Sequence, residues 1–416
     1  MRIGFMGCGK LGMPCALAIE DKGHEVKVYD VNPKVREILE TKVLPYKEEG
    51  AQELLDNHGI DFVDIPELVE HSEIIFVPIQ TPHDPNFEGI TRIPHDRVDF
   101  DYAWLKSGIE KLSQEIAMQG KDKVVVIIST VLPGTIEREI KPLLGEHTKL
   151  CYNPYFIAMG TCIYDFLHPE FVLFGVDDPW AVVQARKFYD TIHNAPFYQT
   201  AVINAELIKI AYNTFIGTKI VFVNTLMEIC HKIGADVDQV TNALKLADKR
   251  LISTAYMSGG MGDGGGCHPR DNIALSWLAG KLALSHDFFE DLMWAREDQT
   301  DWLRELIEEY GDAYKQWYIL GKAFKPETTL TVGSPSVLLF NLLNERTYDS
   351  KVTHWDPYVD PPEAVEPGFD VAALYFIGTR HEVFQSYTFP EGSTVLDPFG
   401  YIEDQEGVEI VRIGRK

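Results

Sequence analysis

The sequence of 416 residues has few basic side chains and few cysteines, and it lacks the long apolar runs of membrane proteins. Lysine and arginine total 38 against 63 aspartates and glutamates, which gives a formal charge of −25. Nucleic acids and anionic membrane surfaces attract a cationic face, so neither is expected as a partner. No apolar run approaches the roughly 20 residues that a membrane-spanning helix needs. The first residues also lack the pattern of a signal peptide.

Metal-binding and disulfide patterns are absent as well. The six cysteines share no C-x-x-C spacing: Cys8, Cys15, Cys151, Cys162, Cys230 and Cys267. The histidines form no cluster with the spacing of zinc ligands, so no metal site is expected. A disulfide framework is not typical of a chain this long. These features predict a protein of the reducing cytoplasm. Cys15 and Cys230 lie on apolar helical faces and are predicted to be buried.

What the sequence does contain is typical of a soluble α/β protein. Hydrophobic residues make up 45% and charged residues 24%, and this length suggests two or three domains. A strand at 2–6, a glycine turn, a helix from Lys10 and a strand at 25–30 form a βαβ unit. Further strands at 74–79 and 124–129 extend it into a parallel sheet covered on both faces.

A change of pattern near residue 200 predicts a helical middle region, and strands return near residue 318. Helical patterns occupy three segments of the middle region: 203–233, 236–247 and 272–310. Four later segments have the pattern of strands: 318–320, 352–355, 371–376 and 394–396. Ser334 and Pro335 are typical of a helix start before 336–344. The predicted fold class is therefore α/β, with two Rossmann-like α/β domains flanking a helical region. The predicted domains are 1–200, 201–312 and 313–416.

The turn after the first strand matches the dinucleotide-binding pattern G-x-G-x-x-G. Its candidate cofactor-binding residues are Gly7, Gly9, Lys10, Leu11 and Gly12. The pattern follows a strand and opens a helix, and Asp30 ends the next strand, which is the context that the pattern requires. The glycines allow close approach of a pyrophosphate to the helix N-terminus. Asp30 would accept both ribose hydroxyls, which favours NAD over NADP.

Two further groups of residues suggest chemistry, although spacing alone leaves their roles open. Lys209 and Asn213 are four residues apart in a helix, so a cation and an amide share one face. A solvated face without a function has the same spacing. Cys267 follows a glycine run and precedes Arg270 and Asp271, which suits an accessible nucleophile. A cysteine in a mobile loop has the same sequence signature.

Taken in order, these segments resemble the UDP-glucose 6-dehydrogenase family, which includes relatives acting on GDP-mannose and UDP-N-acetylmannosamine. The resemblance covers nearly the whole chain. After the glycine turn, its motifs are Gln80-Thr81-Pro82, Ser129–Thr135, Ala205–Lys209 with Asn213 and Lys219, Gly265–Asp271, and Phe324-Lys325-Pro326 followed by Thr328 and Ser334-Pro335. Six ordered motifs make a chance match improbable.

The resemblance implies the NAD-dependent oxidation of a sugar C6 alcohol to a carboxylate in two hydride transfers, with a thioester on Cys267. It assigns oxyanion stabilisation to Lys209 and Asn213. Asp271 would orient water or accept protons, and Thr130 would place a water. Cofactor binding extends to Thr81 and Thr130. Substrate binding falls on Lys209, Asn213, Arg250, Tyr256, Gly264, Phe324 and Lys325. The middle helices of the family imply a homodimer.

The chain also departs from the family pattern. Tyr155 and Met159 replace two acidic residues, of which the first assists water chemistry at the thioester. Val332 and Gly333 replace an arginine and a glutamate, and Arg270 replaces a lysine. The late D-x-R-N element reads Asp397-Pro-Phe-Gly400.

Four interpretations therefore stand. The first is a four-electron nucleotide-sugar 6-dehydrogenase. The second is a nucleotide-sugar-binding relative with impaired hydrolysis, which Tyr155 and Met159 motivate. The third is a two-electron hydroxyacid dehydrogenase of the 6-phosphogluconate type, which leaves Cys267 unexplained. The fourth is a non-enzymatic scaffold, which leaves the clustered motifs unexplained.

Overall fold

The computed structural model describes residues 1–82, 84–92, 97–248, 256, 258–281, 283, 287–361 and 370–415. They form two compact units. The first unit comprises Met1–Pro82 and Phe100–Ala211, and the second comprises His83–Asp99 and Tyr212–Lys416, as far as these are described. The division into three domains at about residues 200 and 312 stays a prediction.

The first unit is built on an eight-stranded sheet. Its strands are β1 (Arg2–Met6), β2 (Glu25–Tyr29), β3 (Asp61–Phe62), β4 (Ile74–Val77), β5 (Lys123–Ile127), β6 (Thr148–Tyr152), β7 (Val172–Val176) and β8 (Phe197–Ala201). The strand order is β3-β2-β1-β4-β5-β6-β7-β8. Its first six strands follow the doubly wound order of dinucleotide-binding folds. The prediction of a parallel sheet is wrong at one pair, because β6 and β7 run antiparallel.

Seven α-helices accompany this sheet among the described residues. They are α1 (Gly12–Asp21), α2 (Pro33–Thr41), α3 (Ala51–Asn57), α4 (Ile65–His71), α5 (Ala103–Gln119), α6 (Cys162–Leu167) and α7 (Pro179–Tyr189). Short turns of other helix types occupy Ile136–Ile140 and Lys141–Leu143. Every residue of α1 from Gly12 to Ile19 is buried, as expected of a helix that is apolar on all sides. This helix begins at Gly12, two residues after the predicted start.

A helix of 32 residues, α8 (Val202–Ile233), crosses the boundary between the two units. The predicted helical segments 203–233 and 236–247 are thereby confirmed, the second as α9. The predicted segment 272–310 contains two helices. The second unit has the further helices α9 (Val237–Lys245), α10 (His268–Lys281), α11 (Phe288–Gly311) and α12 (Pro335–Asn344), and short 3₁₀ turns at Pro85–Phe87 and Glu382–Ser386.

The sheet of the second unit has five parallel strands. They are β9 (Gln316–Leu320), β10 (Lys351–Trp355), β11 (Leu374–Ile377), β12 (Thr394–Asp397) and β13 (Glu409–Arg412), in the order β10-β9-β11-β12-β13. The strand order reverses between β9 and β11, and loops at the carboxyl ends of such strands are where α/β sheets bind ligands. Ser334 caps α12 as predicted, since its side chain accepts a hydrogen bond from the Val337 N–H. The α/β fold class is confirmed.

Burial separates one cysteine from the others. Cys15 and Cys230 are buried, as predicted. Cys8, Cys151 and Cys162 are buried too. Cys267 alone among the six is exposed, and all six lie in the described part of the chain.

Candidate active site

The turn after β1 has the conformation that its glycines predict. Gly7 has a φ of +101°, and its N–H donates to the Tyr29 carbonyl at 2.8 Å. A Cβ at Gly12 would lie 2.6 Å from the Gly7 carbonyl oxygen and 3.1 Å from the Pro78 side chain. The fold itself therefore requires glycine at both positions, because a side chain would force the turn apart.

Gly9 differs from its neighbours, because a Cβ placed there would meet no protein atom within 4 Å. Packing of the described residues gives no reason for glycine at this position. A reason remains in the ligand, since a pyrophosphate must approach the backbone closely at the N-terminus of α1. The open space at Gly9 thus fits a bound dinucleotide. Lys10 is exposed beside it, and Leu11 is the N-cap residue of α1.

Asp30 lies at the carboxyl end of β2 and contacts the same turn. Its Oδ2 accepts from the Cys8 N–H at 2.7 Å, and its Oδ1 accepts from the Asn32 N–H at 2.8 Å. Each carboxylate oxygen keeps a lone pair for a further donor. The carboxylate is therefore oriented by backbone donors and can still accept ribose hydroxyls.

Two other predicted cofactor residues meet at the carboxyl ends of β4 and β5. The Thr81 hydroxyl donates to the Thr130 carbonyl at 2.7 Å. Ser129 donates to the Ile79 carbonyl at 2.5 Å and so joins the same two segments. The strand order places these segments on the side of β1 where the sheet reverses, which is where a dinucleotide binds in this fold.

Two buried glutamates that sequence reasoning missed hold neighbouring loops of the first unit. Glu206 on α8 accepts from the N–H groups of Gly134 and Ile136 at 2.6 and 2.8 Å. It is 1% exposed, and burial raises its pKa. Glu48 similarly accepts from the N–H groups of Gly160 and Cys162 at 2.8 and 2.7 Å. Glu206 had a signal, because it lies inside the motif that ends at Lys209.

Lys209 lies on α8 in the part of the helix that belongs to the first unit. It is 6% exposed, and its ammonium nitrogen lies 5.2 Å from the centre of the Phe156 ring. That distance is within the range of a cation–π contact. The expectation of a merely solvated helix face is therefore not met. Lys209 is an enclosed cation, as an electrostatic stabiliser of an oxyanion would be.

In the second unit, Asn213 and Asp271 are in direct contact. The Asn213 amide donates to Asp271 Oδ2 at 2.6 Å, and the Arg270 guanidinium donates to Oδ1 at 2.9 and 3.0 Å. Asp271 is fully buried. A buried carboxylate is stable when it is paired and hydrogen-bonded in this way. One amide hydrogen of Asn213 remains for another acceptor.

Cys267 immediately precedes α10, the helix that carries Asp271. Its carbonyl accepts the Asp271 N–H at 2.8 Å, which is the first hydrogen bond of that helix. The thiol therefore stands at a helix N-terminus, where a negative charge is favoured. Exposure and position together suit an accessible nucleophile.

Predicted substrate residues also come together around the loop that follows β9. We call residues 321–328 the β9 loop. A Cβ at Gly264 would lie 2.7 Å from Phe324 Cβ, and one at Gly265 would lie 3.0 Å from the Phe324 ring. Glycine is thus required at positions 264 and 265, where the segment before Cys267 packs against the β9 loop. Lys325, next to Phe324, accepts at its carbonyl from the Thr328 hydroxyl at 2.9 Å.

The remaining predicted substrate residues are less informative. Arg250 lies outside the described residues. Tyr256 is exposed and has a φ of +61°, which is uncommon for a residue with a side chain. None of the predicted contacts of these two residues with a substrate is tested by the structure.

Arg296 is a buried residue that contacts the glycine-rich loop, and the sequence analysis did not identify it. It is 1% exposed and pairs with Asp263 at 2.7 Å. It also donates to the carbonyls of Gly89 and Gly333 at 3.0 and 3.1 Å. One buried cation therefore joins the glycine-rich loop to Gly333, one of the positions where the chain departs from the family pattern.

The tyrosine that replaces a family glutamate packs into the interior of the first unit. The Tyr155 hydroxyl lies 2.9 Å from the Tyr189 hydroxyl, and its ring packs against the core. Burial and the neighbouring Tyr189 raise its pKa, so it stays protonated near neutrality. Met159 lies 3.8 Å from the Cys162 sulfur. Neither side chain supplies a base.

In the part of the chain that the structure describes, no three acidic, histidine or cysteine side chains are grouped to hold a metal ion. No helix of the described residues is long and apolar enough to cross a bilayer. The doubly wound sheet, its glycine turn and the oriented Asp30 carboxylate define a protein of the NAD-dependent dehydrogenase class.

Comparison with known proteins narrows this class. Residues 1–193 match the family model for the NAD binding domain of the UDP-glucose/GDP-mannose dehydrogenase family, and residues 203–295 match its central domain. The chain belongs to this family of nucleotide-sugar 6-dehydrogenases, with NAD as cofactor. The first of the four interpretations above is the one that this membership favours.

Individual relatives agree over most of the chain. It is 29% identical over 375 residues to UDP-glucose 6-dehydrogenase of Rickettsia bellii, covering 86% of this chain and 81% of the relative. It is 27% identical to GDP-mannose 6-dehydrogenase of Pseudomonas syringae, covering 97% of each. A UDP-glucose dehydrogenase structure from Pyrobaculum islandicum superposes with a TM-score of 0.86 at 26% identity, covering 100% of this chain and 98% of that one.

Proposed function

We propose that the chain oxidises the C6 hydroxymethyl group of a nucleotide sugar of the UDP-glucose type to the uronate, with Cys267 as the covalent nucleophile. The observation that carries the proposal is the exposed thiol at the N-terminus of α10, one helical turn from the buried Asp271. A two-electron dehydrogenase needs no such thiol. A four-electron dehydrogenase needs one to hold the aldehyde between its two oxidations.

NAD⁺, which the glycine turn and Asp30 would hold, would supply the hydride acceptor for each of the two oxidations at C6. After the first, the Cys267 thiolate adds to the aldehyde carbon and forms a thiohemiacetal. Loss of the second hydride converts it into a thioester. Water then cleaves the C–S bond and regenerates the thiol. The balance is one alcohol, two NAD⁺ and one water to one carboxylate, two NADH and three protons.

The oxygen on C6 gains negative charge in both oxidations and in the hydrolysis. Lys209 supplies an enclosed positive charge for it, and the second amide hydrogen of Asn213 supplies a donor. Such preorganised donors stabilise developing oxyanions most when water is excluded. Asp271 is held in place by hydrogen bonds from Asn213 and Arg270, and in this proposal its carboxylate orients the hydrolytic water or accepts a proton. Thr130 places a water in this proposal.

The nucleotide-sugar side of the site would be formed by Gly264 and by Phe324 and Lys325 of the β9 loop. We assign the same role to Arg250 and Tyr256, as the family resemblance implies. Relatives named for UDP-glucose and for GDP-mannose match this chain about equally well, so the UDP-glucose type is part of the proposal. A homodimer formed through the middle helices and a location in the cytoplasm are proposed with it.

The decisive experiment measures how much NADH is formed per nucleotide sugar. The purified protein is given NAD⁺ and, separately, UDP-glucose, GDP-mannose or UDP-N-acetylmannosamine. We expect two NADH per sugar with one of them, and a product 14 mass units heavier than the substrate, the mass of one oxygen gained and two hydrogens lost. One NADH per sugar would contradict the four-electron reaction, and activity with UDP-glucose no better than with the others would contradict its assignment.

Substitution of the nucleophile tests the covalent step. Cys267→Ser and Cys267→Ala should bind NAD⁺ and nucleotide sugar but lose steady-state uronate formation, and the serine variant should accumulate an acyl ester. Ser258→Ala, at an exposed position of the same glycine-rich loop, is the matched control and should remain active. Iodoacetamide should inactivate the parent by modifying Cys267, because the other five thiols are buried. A cysteine variant with parental turnover would overturn the proposal.

Tyr155 favours a second candidate, a relative that binds and oxidises nucleotide sugar but hydrolyses the thioester slowly. The family glutamate at this position is replaced by a hydroxyl that stays protonated. In that case rapid mixing would give a burst of two NADH per site followed by a slow phase. Mass spectrometry of the quenched protein would then find the acyl group on Cys267. A linear progress curve without adduct would exclude this candidate.

A further inference from the structure

The β9 loop is hydrogen-bonded to two buried side chains that no sequence motif predicted, Asp356 and His381. The loop lies at the carboxyl end of β9, where the strand order of the second sheet reverses. Both side chains are fully buried. Asp356 follows β10 and His381 follows β11, so the strands on either side of β9 each contribute one of them.

Asp356 holds the beginning of the loop. Its Oδ2 accepts from the N–H groups of Lys322 and Ala323 at 2.6 and 2.9 Å. Its Oδ1 accepts from the N–H groups of Tyr358 and Val359 at 2.8 and 3.1 Å. Four backbone donors and one imidazole thus surround a single carboxylate, which keeps it ionised and fixes its orientation.

His381 holds the end of the loop and connects it to Asp356. Its Nδ1 lies 2.9 Å from the Glu327 nitrogen, and its Nε2 lies 3.1 Å from Asp356 Oδ2. A backbone N–H can only donate, so Nδ1 must accept, and the ring proton is on Nε2, where it is donated to the carboxylate. One imidazole therefore joins both ends of the loop.

The loop between these anchors is strained and tightly held. Glu327 has a φ of +54°, a conformation that costs free energy for a residue with a side chain and persists only when neighbours enforce it. Its side chain accepts from the Glu382 N–H at 2.8 Å. Thr379 donates to the Ala323 carbonyl at 2.6 Å. Strain and buried charge of this kind concentrate where a side chain must be aimed.

The anchors enclose three residues, Phe324, Lys325 and Pro326. Phe324 lies against Gly264 and Gly265, on the segment that leads to Cys267. We propose that Asp356 and His381 are positioning residues that hold Phe324 and Lys325 in the conformation that binds the nucleotide sugar. This inference rests on the proposed function, since it assigns a sugar-binding role to the β9 loop.

The test separates binding of the two substrates. His381→Ala removes both hydrogen bonds, and it leaves the Glu327 N–H without its acceptor. We expect the KM for the nucleotide sugar to rise by about tenfold or more, in line with the loss of a buried hydrogen-bond partner. The KM for NAD⁺ and kcat at saturation should change by less than about threefold, which is under about 0.7 kcal/mol.

Conservative variants supply the rescue. The Asn side chain can place an oxygen near the position of Nδ1, so His381→Asn should keep the Glu327 contact and show a KM between those of the parent and His381→Ala. Asp356→Asn should raise the same KM, because one of its two side-chain oxygens is lost as an acceptor. Trypsin should cleave after Lys322 faster in His381→Ala than in the parent. The Ala323 N–H next to the cleavage point is held by Asp356, and in this variant Asp356 loses its contact with His381.

Tyr314→Phe is the control for general loosening of this sheet. Tyr314 contacts the Gly392 carbonyl and the Thr394 hydroxyl at 2.9 Å each. These residues lie at the amino ends of β9 and β12, whereas the β9 loop follows the carboxyl end of β9. The KM of Tyr314→Phe for the nucleotide sugar should equal that of the parent. If His381→Ala does not fold, His381→Asn decides in its place.

The outcomes distinguish the two proposals. A parent protein that binds no nucleotide sugar by calorimetry overturns the proposed function and this inference with it. A parent that binds the sugar, with His381 variants that bind it equally well, overturns the inference alone. An equal rise of the KM for NAD⁺ and for the sugar would also overturn it, because that result indicates general damage.

Discussion

Two loops occupy equivalent places in the two units, and they are held in different ways. The glycine turn follows β1 at the reversal of the first sheet, and the β9 loop follows β9 at the reversal of the second. The turn is held by its own glycines and by Asp30, 22 residues from Cys8. The β9 loop is held by Asp356 and His381, 34 and 54 residues from the groups they bind.

The difference shows why one loop carries a recognisable motif and the other does not. A glycine turn of this type meets a pyrophosphate, which every dinucleotide contains, with backbone atoms and a helix N-terminus. Its shape must be encoded locally, so a pattern of six residues reveals it. The β9 loop aims the side chains of Phe324 and Lys325, and aiming can be done by distant residues. Such a loop can be retuned for another sugar without altering the cofactor site.

Substitution of Lys209, near the end of the first unit in the sequence, should have the largest effect on turnover. Lys209 belongs to the cofactor unit by its contacts, yet we expect it to act on the substrate oxygen. Lys209→Ala should lower kcat by about 100- to 1,000-fold, the usual loss for one oxyanion donor, with little change in NAD⁺ affinity. Lys232→Ala is the matched control, since Lys232 lies on the same helix, is 61% exposed and pairs with Glu228. Parental turnover in Lys209→Ala would return it to a structural role.

The glycine turn can be broken in two distinguishable ways. Gly12→Ala places a Cβ 2.6 Å from the Gly7 carbonyl, so it should lower the free energy of unfolding by about 1–3 kcal/mol. Gly9→Ala meets no protein atom and should leave stability unchanged. It should instead weaken NAD⁺ binding by about tenfold, or about 1.4 kcal/mol. Thermal unfolding with and without NAD⁺ measures both. A destabilised Gly9→Ala would mean that the open space is structural.

The parts of the molecule that the sequence predicts well are those encoded by neighbouring residues. The helix of 32 residues and the Ser334 cap of α12 depend on contacts within one element or one turn, and the first βαβ unit joins elements that follow one another in the sequence. The antiparallel pair of β6 and β7 was missed. Strand direction depends on where the chain returns to the sheet, and no local pattern records that path.

In the candidate site, too, the sequence indicated single residues and local motifs but not the contacts between distant residues. The sequence indicated Asn213 and Asp271 separately, but their contact joins residues 58 positions apart. Glu206, Arg296 and His381 were not predicted, because each acts by accepting from or donating to distant backbone groups. Arg296 and His381 carry no periodic or spacing signal of their own, and Glu206 is marked only by its place in the motif that ends at Lys209. Family motifs could identify the reacting groups, while the structure was needed to find what supports them.

Acid should affect the two loops differently, because the β9 loop begins beside a half-buried histidine, His354. Burial lowers the pKa of His354 to about 4, although a hydrogen bond from its Nε2 to the Gly321 carbonyl at 2.9 Å opposes the shift. Unfolded histidine binds a proton near pH 6.5, so the folded state loses stability as the pH falls from about 6.5 towards 4. Between pH 7 and pH 5 the loss should be at most about 2 kcal/mol.

Hydrogen exchange of peptides that cover β9 and α12 measures this loss. His354→Gln keeps a donor for the Gly321 carbonyl but cannot titrate, so its stability should depend less on pH in this range. An equal pH dependence in the parent and in His354→Gln would show that other groups cause the acid sensitivity.

Cofactor choice carries an expected effect no larger than that of Gly9→Ala, and it tests whether the glycine turn depends only on its own residues and Asp30. Asp30 accepts from the Cys8 and Asn32 N–H groups, and its charge would repel a 2′-phosphate. The parent should therefore use NAD⁺ in strong preference to NADP⁺. Asp30→Ala should weaken NAD⁺ binding by about tenfold, or about 1.4 kcal/mol, and reduce the preference. Asp61→Asn removes an exposed negative charge on the neighbouring β3 and should change neither. Comparable kcat/KM for NAD⁺ and NADP⁺ in the parent would show that Asp30 only braces the turn, and that discrimination between the cofactors comes from residues outside it.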